Sequence, residues 1–331
     1  LKRVKWWCTV AVNIIFVVSG HIAGTLLLRL YFQNGGNKIW MGSLVCAIGF
    51  PVMLIPYLFL LCRSSSSSSH SPPPYSLPLL ATMYLILGAV YAAANTLATV
   101  GLSYLSASTF ALILTSQLGF ISLFFLFINR KKMTVLVVNS VVILALSSSL
   151  LGVDSSSANP SGVSRRKYLI GVFSSLGCSA LYALYFSLAQ VTFERVRNRQ
   201  TYISMMELWI WTSVVATLLT LIGFFASGQW RTITGEMDNF TSGRVSYAMT
   251  IVWCSISWQV SNVGQIGLVF IVSSLFSDVI GIFSLAVIPI AAVIFFHDKM
   301  DGLKIIAMLL AFWGTFSYIY QHYIDDVKAR K

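Results

Sequence analysis

The chain has 331 residues, of which 57% are hydrophobic and only 10% charged, far from the roughly 25% charged usage of a soluble domain. Its formal net charge is +12, but the basic residues sit in short stretches between apolar runs, which excludes the single clustered basic face that nucleic-acid binding requires. This is the composition of an integral membrane protein.

A helix needs about 20 mostly apolar residues to cross a ~30 Å hydrocarbon core. Ten such runs follow one another: Trp7–Tyr31, Lys38–Cys62, Leu77–Gly101, Leu105–Ile128, Met133–Val153, Tyr168–Phe193, Ile203–Ser227, Tyr247–Phe270, Ser273–Phe296 and Leu303–Tyr323. The expected fold is therefore an all-α integral membrane protein with ten transmembrane helices. The first run follows a basic segment but is too long for a signal-peptide core, so it reads as a span. Within it His21 reads as a hydrogen-bonded packing residue, and Arg29, one turn from the interface, as a side chain that snorkels. The connection "RSSSSSSHSPPPYS" (Arg63–Ser76) has too little apolar surface to fold and reads as a mobile loop. "DSSSANPSGVSRRK" (Asp154–Lys167) plays the same part between spans 5 and 6. No connection is long enough for a soluble domain.

If alternate connections share a side with the N-terminus, that side holds more than half of the 22 lysines and arginines. The positive-inside rule then puts both termini in the cytosol, although "SRRK" (Ser164–Lys167) lies on the other side. The sequon Asn239-Phe240-Thr241 falls opposite the cytosol, where glycosylation is possible. The five cysteines are scattered without CxxC spacing, so neither a disulfide framework nor a metal site is expected. No HExxH, P-loop or GxSxG pattern occurs, and the chain reads as a non-enzyme without cofactors.

The second linker lies near the middle of the chain and invites a search for two halves. Laying "YAAANTLATVGLSYLSASTF" (Tyr91–Phe110) on "WQVSNVGQIGLVFIVSSLF" (Trp258–Phe276) brings Tyr91 onto Trp258 and Asn95 onto Asn262. Further on, Lys132-Met133 meets Lys299-Met300. The reading is a five-helix repeat in 1–153, a linker in 154–167 and a second five-helix repeat in 168–331. With an odd number of spans per half, the second copy inserts upside down, which is the inverted-topology architecture of secondary carriers with a site near the midplane.

Polar side chains in lipid turn to the bundle interior, where they stitch helices together or contact a substrate. Trp258, Asn262 and Gln265 fall at i, i+4 and i+7, on one helical face, and Tyr91 and Asn95 repeat the aromatic-plus-amide pair at i, i+4. Flat rings for stacking and carboxamides with a donor and an acceptor side by side match the edge of a heterocycle such as adenine. Gln117, Gln190 and Gln259 add further amides. The alternative is that these groups make interhelical hydrogen bonds and fill space. Glu207 interrupts an uncharged run about two turns from Arg199, which puts it ~6–12 Å below the cytosolic boundary rather than at the bilayer centre. Desolvation there favours the protonated carboxyl, so Glu207 is a candidate proton site, with a structural ion pair to Arg195, Arg197 or Arg199 as the alternative. Asp278, near the start of span 9, is a second candidate.

Several stretches resemble the plant purine permease family of the drug/metabolite transporter superfamily. They are "LLLRLYFQNGGNKIW" (Leu26–Trp40), "GFPVMLIPY" (Gly49–Tyr57), "YLSASTFALILTSQLGF" (Tyr104–Phe120), "FASGQW" (Phe225–Trp230), "SSLFSDVI" (Ser273–Ile280) and "VIFFHDKMDGLKIIAMLLAFWGTFSYIYQHYID" (Val293–Asp325). The resemblance implies ten spans in a 5+5 inverted repeat. It also implies import of purine nucleobases and cytokinin-like heterocycles, usually proton-coupled, with alkaloids and vitamin B6-type rings as other cargo. It places Trp258, Gln259, Gln117 and Asn95 at cavity positions. Ala94 stands where the family often has an acid, and Ile271 at another frequently acidic position, which leaves Glu207 as the main proton candidate. The reading is thus a multi-pass carrier, expected in the plasma membrane, whose partners are a planar heterocycle, protons and the lipid bilayer. Its rivals are the same scaffold carrying an alkaloid or pyridoxine, and a ligand-binding membrane protein that does not transport.

Overall fold

A computed structural model describes residues 2–65, 77–127, 164–192, 202–272 and 274–329, with isolated positions between 139 and 146. The described residues form helices and connections, with no strand among them. In chain order the helices are α1 (Lys2–Gln33), α2 (Ile39–Ile48), α3 (Pro51–Ser65), α4 (Leu77–Tyr104), α5 (Ala107–Leu114), α6 (Gln117–Phe127), α7 (Arg165–Val191), α8 (Tyr202–Ala226), α9 (Ile233–Asp238), α10 (Gly243–Ile271), α11 (Ser274–Phe296) and α12 (Gly302–Ala329). Among the described residues, seven helical segments are long and apolar enough to cross a membrane. Every run read from the sequence except the fifth lies, but for a terminal residue in three of them, in the described residues; most of 133–153, the serine-rich connection 66–76 and most of the 154–167 linker lie outside them.

Two spans are broken. Span 2 divides at Gly49-Phe50 into α2 and α3, and Pro51 opens the second piece. A proline has no N–H to donate and suits the first position of a helix, so a helix ends before it and another starts on it. Span 4 divides at Thr115-Ser116 into α5 and α6. Ser106 caps α5 by accepting from the Thr109 N–H, the usual way a short hydroxyl satisfies an orphan donor of the first turn. Inside a membrane, interrupted helix is tolerated where protein or a cavity covers the freed backbone.

The bundle is held by close helix contact. α1 runs along α10, with Gly20 pressed against Ser261 so tightly that an added Cβ would stand 2.5 Å from the Ser261 backbone nitrogen. Small residues at such seams let backbones approach where lipid supplies no hydrophobic drive for helix association. α4 runs along α7 and α8, α1 also meets α11, and α5 and α6 pack on α11 and α7 respectively. Ile55, Phe59, Ile222, Phe295 and Leu309 face outward. Asn95, Gln117, Gln259 and Asn262 are buried, the inside-out polarity expected of a bundle in lipid.

Candidate functional site

Eight of these helices surround one cavity of about 580 Å³, including its open mouth. α4 contributes Tyr91, α7 Tyr182 and Phe186, α8 Trp209, and α10 Trp258, Asn262 and Gln265. His21 comes from α1, Ile282 and Leu285 from α11, and Leu114 and Gln117 from the two sides of the break between α5 and α6. Pro289 within α11 cannot donate to the Leu285 carbonyl, so two helices have disturbed hydrogen bonding at cavity level. On α10 the lining residues lie toward the C-terminal end, on α8 toward the N-terminal end and on α7 toward the C-terminal end. The cavity thus extends from mid-bundle toward the face where those three ends meet. In the other half Leu102, Leu105, Phe110 and Leu112 are packed out of contact with solvent.

Aromatic rings form two groups. Tyr91 lies 6.1 Å from Tyr182 and 5.3 Å, edge to face, from Trp209, with Tyr185 behind at 5.4 Å. Across the cavity His21 and Trp258 meet edge to face at 5.6 Å.

Polar atoms fill the space between. The Tyr182 hydroxyl donates to Asn95 Oδ1 at 2.6 Å, which orients that carboxamide and leaves its Nδ2 without a hydrogen-bond partner. The Tyr91 hydroxyl sits beside both Asn95 and Asn262. Asn262 Nδ2, Trp209 Nε1 and Trp258 Nε1 are likewise buried donors without a partner. Ser284 Oγ donates to Gly281 O and therefore accepts at 2.5 Å from His21 Nδ1. That assignment makes His21 Nε2 the acceptor for Gln265 Nε2 at 3.4 Å, so the network favours the neutral Nδ1–H tautomer. Among the described residues no His/Cys/Asp/Glu group of three or more is disposed to hold a metal ion.

Of the residues singled out by sequence, Tyr91, Gln117, Trp258 and Asn262 line the cavity, and Asn95 stands directly behind Tyr91 and Tyr182. Gln259 is buried but turned to the break in span 2, against Gly49, with both amide atoms unpartnered. Gln190 is half-buried near the C-terminal end of α7 and does not line the cavity. Glu207 is half-buried, two positions before Trp209; residues so spaced point to nearly opposite faces of a helix, and Glu207 is not part of the lining. The Asp278 side chain lies outside the described residues. Arg29 does not snorkel: its Nη1 donates to the Leu102 carbonyl at 2.9 Å, tying α1 to α4. Tyr182, Phe186 and Trp209 were missed. Tyr182 and Phe186 carry an i, i+4 aromatic spacing that was a usable signal, whereas nothing in the sequence marks Trp209 among the other tryptophans.

Comparison with known proteins covers nearly the whole chain. A family model described as purine nucleobase transmembrane transport matches residues 8–328. The chain is 48% identical to probable purine permease 11 of Arabidopsis thaliana over 331 residues, 100% of this chain and 87% of that one. It is 43% identical to probable purine permease 13 (100% and 90%) and 41% identical to purine permease 21 (99% and 84%), both of the same plant. These relatives are named as permeases, not as enzymes. One crystal structure superposes with a TM-score of 0.50 at 15% identity, over 93% of this chain and 95% of that one, a likeness of fold alone.

Proposed function

Because the chain belongs to the purine permease family, we propose that this multi-pass membrane protein is a secondary carrier for purine nucleobases and cytokinin-like heterocycles, bound in the cavity between α4 and α10. One observation carries the reading: an aromatic-plus-carboxamide pair from each half, Tyr91 with Asn95 and Trp258 with Asn262, meets at one cavity holding unpartnered N–H donors. A buried donor left unpaired costs about 1–3 kcal/mol. A purine offers ring nitrogens and exocyclic oxygens to such donors and flat faces to the rings. Edge-to-face or stacked aromatic contacts add about 0.5–1.5 kcal/mol each.

Helix packing supports a 5+5 inverted repeat with ten spans. Exchanging the halves turns span 1 into span 6 and span 3 into span 8. The pairing of α1 with α10 then becomes the pairing of α7 with α4, and both pairs are in contact. In such an architecture the halves rock around a midplane site. The lining lies toward one face of the bundle, which fits a mouth on that side and one half of an alternating-access cycle. With both termini cytosolic and the carrier in the plasma membrane, that mouth faces the cytosol, and exposed Asn239 lies on the opposite side. Proton coupling through Glu207 or Asp278 belongs to the same proposal. Glu207 then acts from outside the cavity wall, through α8.

Competition for adenine uptake by cytokinins, alkaloids and pyridoxine tests the cargo. Strong displacement by purines and cytokinins alone is expected, and preferential displacement by pyridoxine or an alkaloid would overturn the assignment.

A further inference from the structure

Alternating access, on which this inference rests, requires the face opposite the cavity's mouth to open as well. On the side of the cavity toward that face, α1, α2 and α10 line a small, separate apolar pocket of about 200 Å³, including its open side, whose lining includes Leu28, Tyr31, Val45 and Cys254. Its inner end is Cys254, one helical turn from Trp258 of the cavity. Its outer end is Tyr31.

Glu236 of α9 sits on that outer end. It is only 7% exposed. The Tyr31 hydroxyl donates to its Oε1, and the Tyr247 hydroxyl donates to the same atom at 3.5 Å. Its Oε2 has no hydrogen-bond partner among the described residues and lies 3.8 Å from Lys38 Nζ. The Lys38 N–H in turn donates to the Tyr31 hydroxyl at 3.2 Å, and the Thr241 N–H donates to Asn34 O at 3.0 Å. One carboxyl therefore ties together α1, the α1–α2 turn, α9 and α10. The titratable or charged groups facing it are Tyr31, Lys38 and Tyr247. Asp238 and Arg244 pair with each other on the exposed rim.

We propose that Glu236 is a proton-binding site at the outer mouth of this pocket, taking a proton from outside water as the mouth closes and returning it as the mouth opens. The sign follows from burial. In the closed arrangement desolvation pushes the Glu236 carboxyl above the usual carboxylate range, outweighing the downward pull of the Tyr31 hydroxyl, the Lys38 charge, the Asn37 N–H and the Tyr247 hydroxyl. In an open mouth the carboxyl is in water and returns to its ordinary value. The closed form thus binds the proton more tightly, and outside acid favours closure between the ordinary value and the raised one. Above the raised value the closed form carries a buried charge, and opening is favoured. This site is separate from Glu207, which lies near the N-terminal end of α8 at the opposite face.

Cys254 provides the readout, being buried at the inner end of the pocket. With Cys8, Cys46, Cys62 and Cys178 replaced by Ser, the rate of Cys254 modification by a membrane-impermeant maleimide added outside is measured from pH 5 to pH 8, with and without Glu236→Gln. The ratio of the two rates cancels the pH dependence of thiol chemistry. It is expected to rise with pH, by up to about tenfold for each unit by which burial raises the closed form's carboxyl. Lys38→Ala removes the stabilising cation and should move the rise to higher pH. A ratio independent of pH, or an unreactive Cys254 in protein that still exchanges adenine, would overturn the proposal. A pH-dependent ratio in protein that exchanges no adenine would uphold the Glu236 site and sink the carrier reading instead.

Discussion

In the proposed carrier Asn95 is a binding group that one hydroxyl prepares. By donating to Asn95 Oδ1, Tyr182 decides which end of the carboxamide is engaged and leaves the N–H₂ end for a guest. Tyr182→Phe should leave the fold intact and weaken adenine binding roughly tenfold, the cost of about 1.4 kcal/mol for one lost hydrogen bond in the site. Calorimetric titration of purified protein checks this, and unchanged affinity would detach Asn95 from binding. Asn262 separates function from structure more sharply, because its Nδ2 is a buried donor with no partner. Replacing an unsatisfied buried polar group by an apolar one of similar size is neutral or stabilising. Asn262→Leu should therefore keep or raise the melting temperature in detergent while lowering adenine affinity by at least tenfold. A drop in melting temperature with unchanged affinity would mark Asn262 as a structural residue.

At the scale of elements, closeness is what holds α1 on α10. Gly20→Ala introduces a Cβ against the Ser261 nitrogen and the Ser257 carbonyl, which are backbone atoms that cannot rotate away. Overpacking of this kind costs about 1–3 kcal/mol, so a clear fall in melting temperature is expected, and an unchanged one would mean the two helices are not in contact. The helices were legible in the sequence because a span needs only length and hydropathy, and 7 to 31 or 203 to 227 have both. The breaks were less so. Gly49-Phe50-Pro51 carried the chemistry of an interruption, but a hydropathy window averages over it, and Thr115-Ser116 carries no breaker at all. For the site, helical spacing sufficed to put Trp258 and Asn262 on one face. It could not say that Gln259, the next residue after Trp258, turns to Gly49 while Gln117 reaches the cavity. That depends on which helices are neighbours, information no single span contains. Arg29 is the same case in reverse: snorkelling is the default for a lone cation, and the Leu102 carbonyl within reach removed the need for it.

For the whole molecule, α1 packs along α10 and α4 along α7, and in the proposed inverted repeat these two seams are equivalent and the halves move about them. Coupling to protons requires groups that titrate at a different pH in the two states, and Glu236 is proposed as one of them. Glu207, toward the other face, is tested by substitution. Glu207→Gln should flatten the pH dependence of uptake without altering labelling of Cys254, and a wild-type uptake profile would remove Glu207 from coupling. Whether a purine crosses the membrane through this cavity, as proposed, is decided by counterflow. In proteoliposomes loaded with unlabelled adenine, the wild-type protein should accumulate external labelled adenine transiently, and folded Trp258→Ala should not. Saturable binding without exchange in the wild type, or undiminished exchange by Trp258→Ala, would contradict the account.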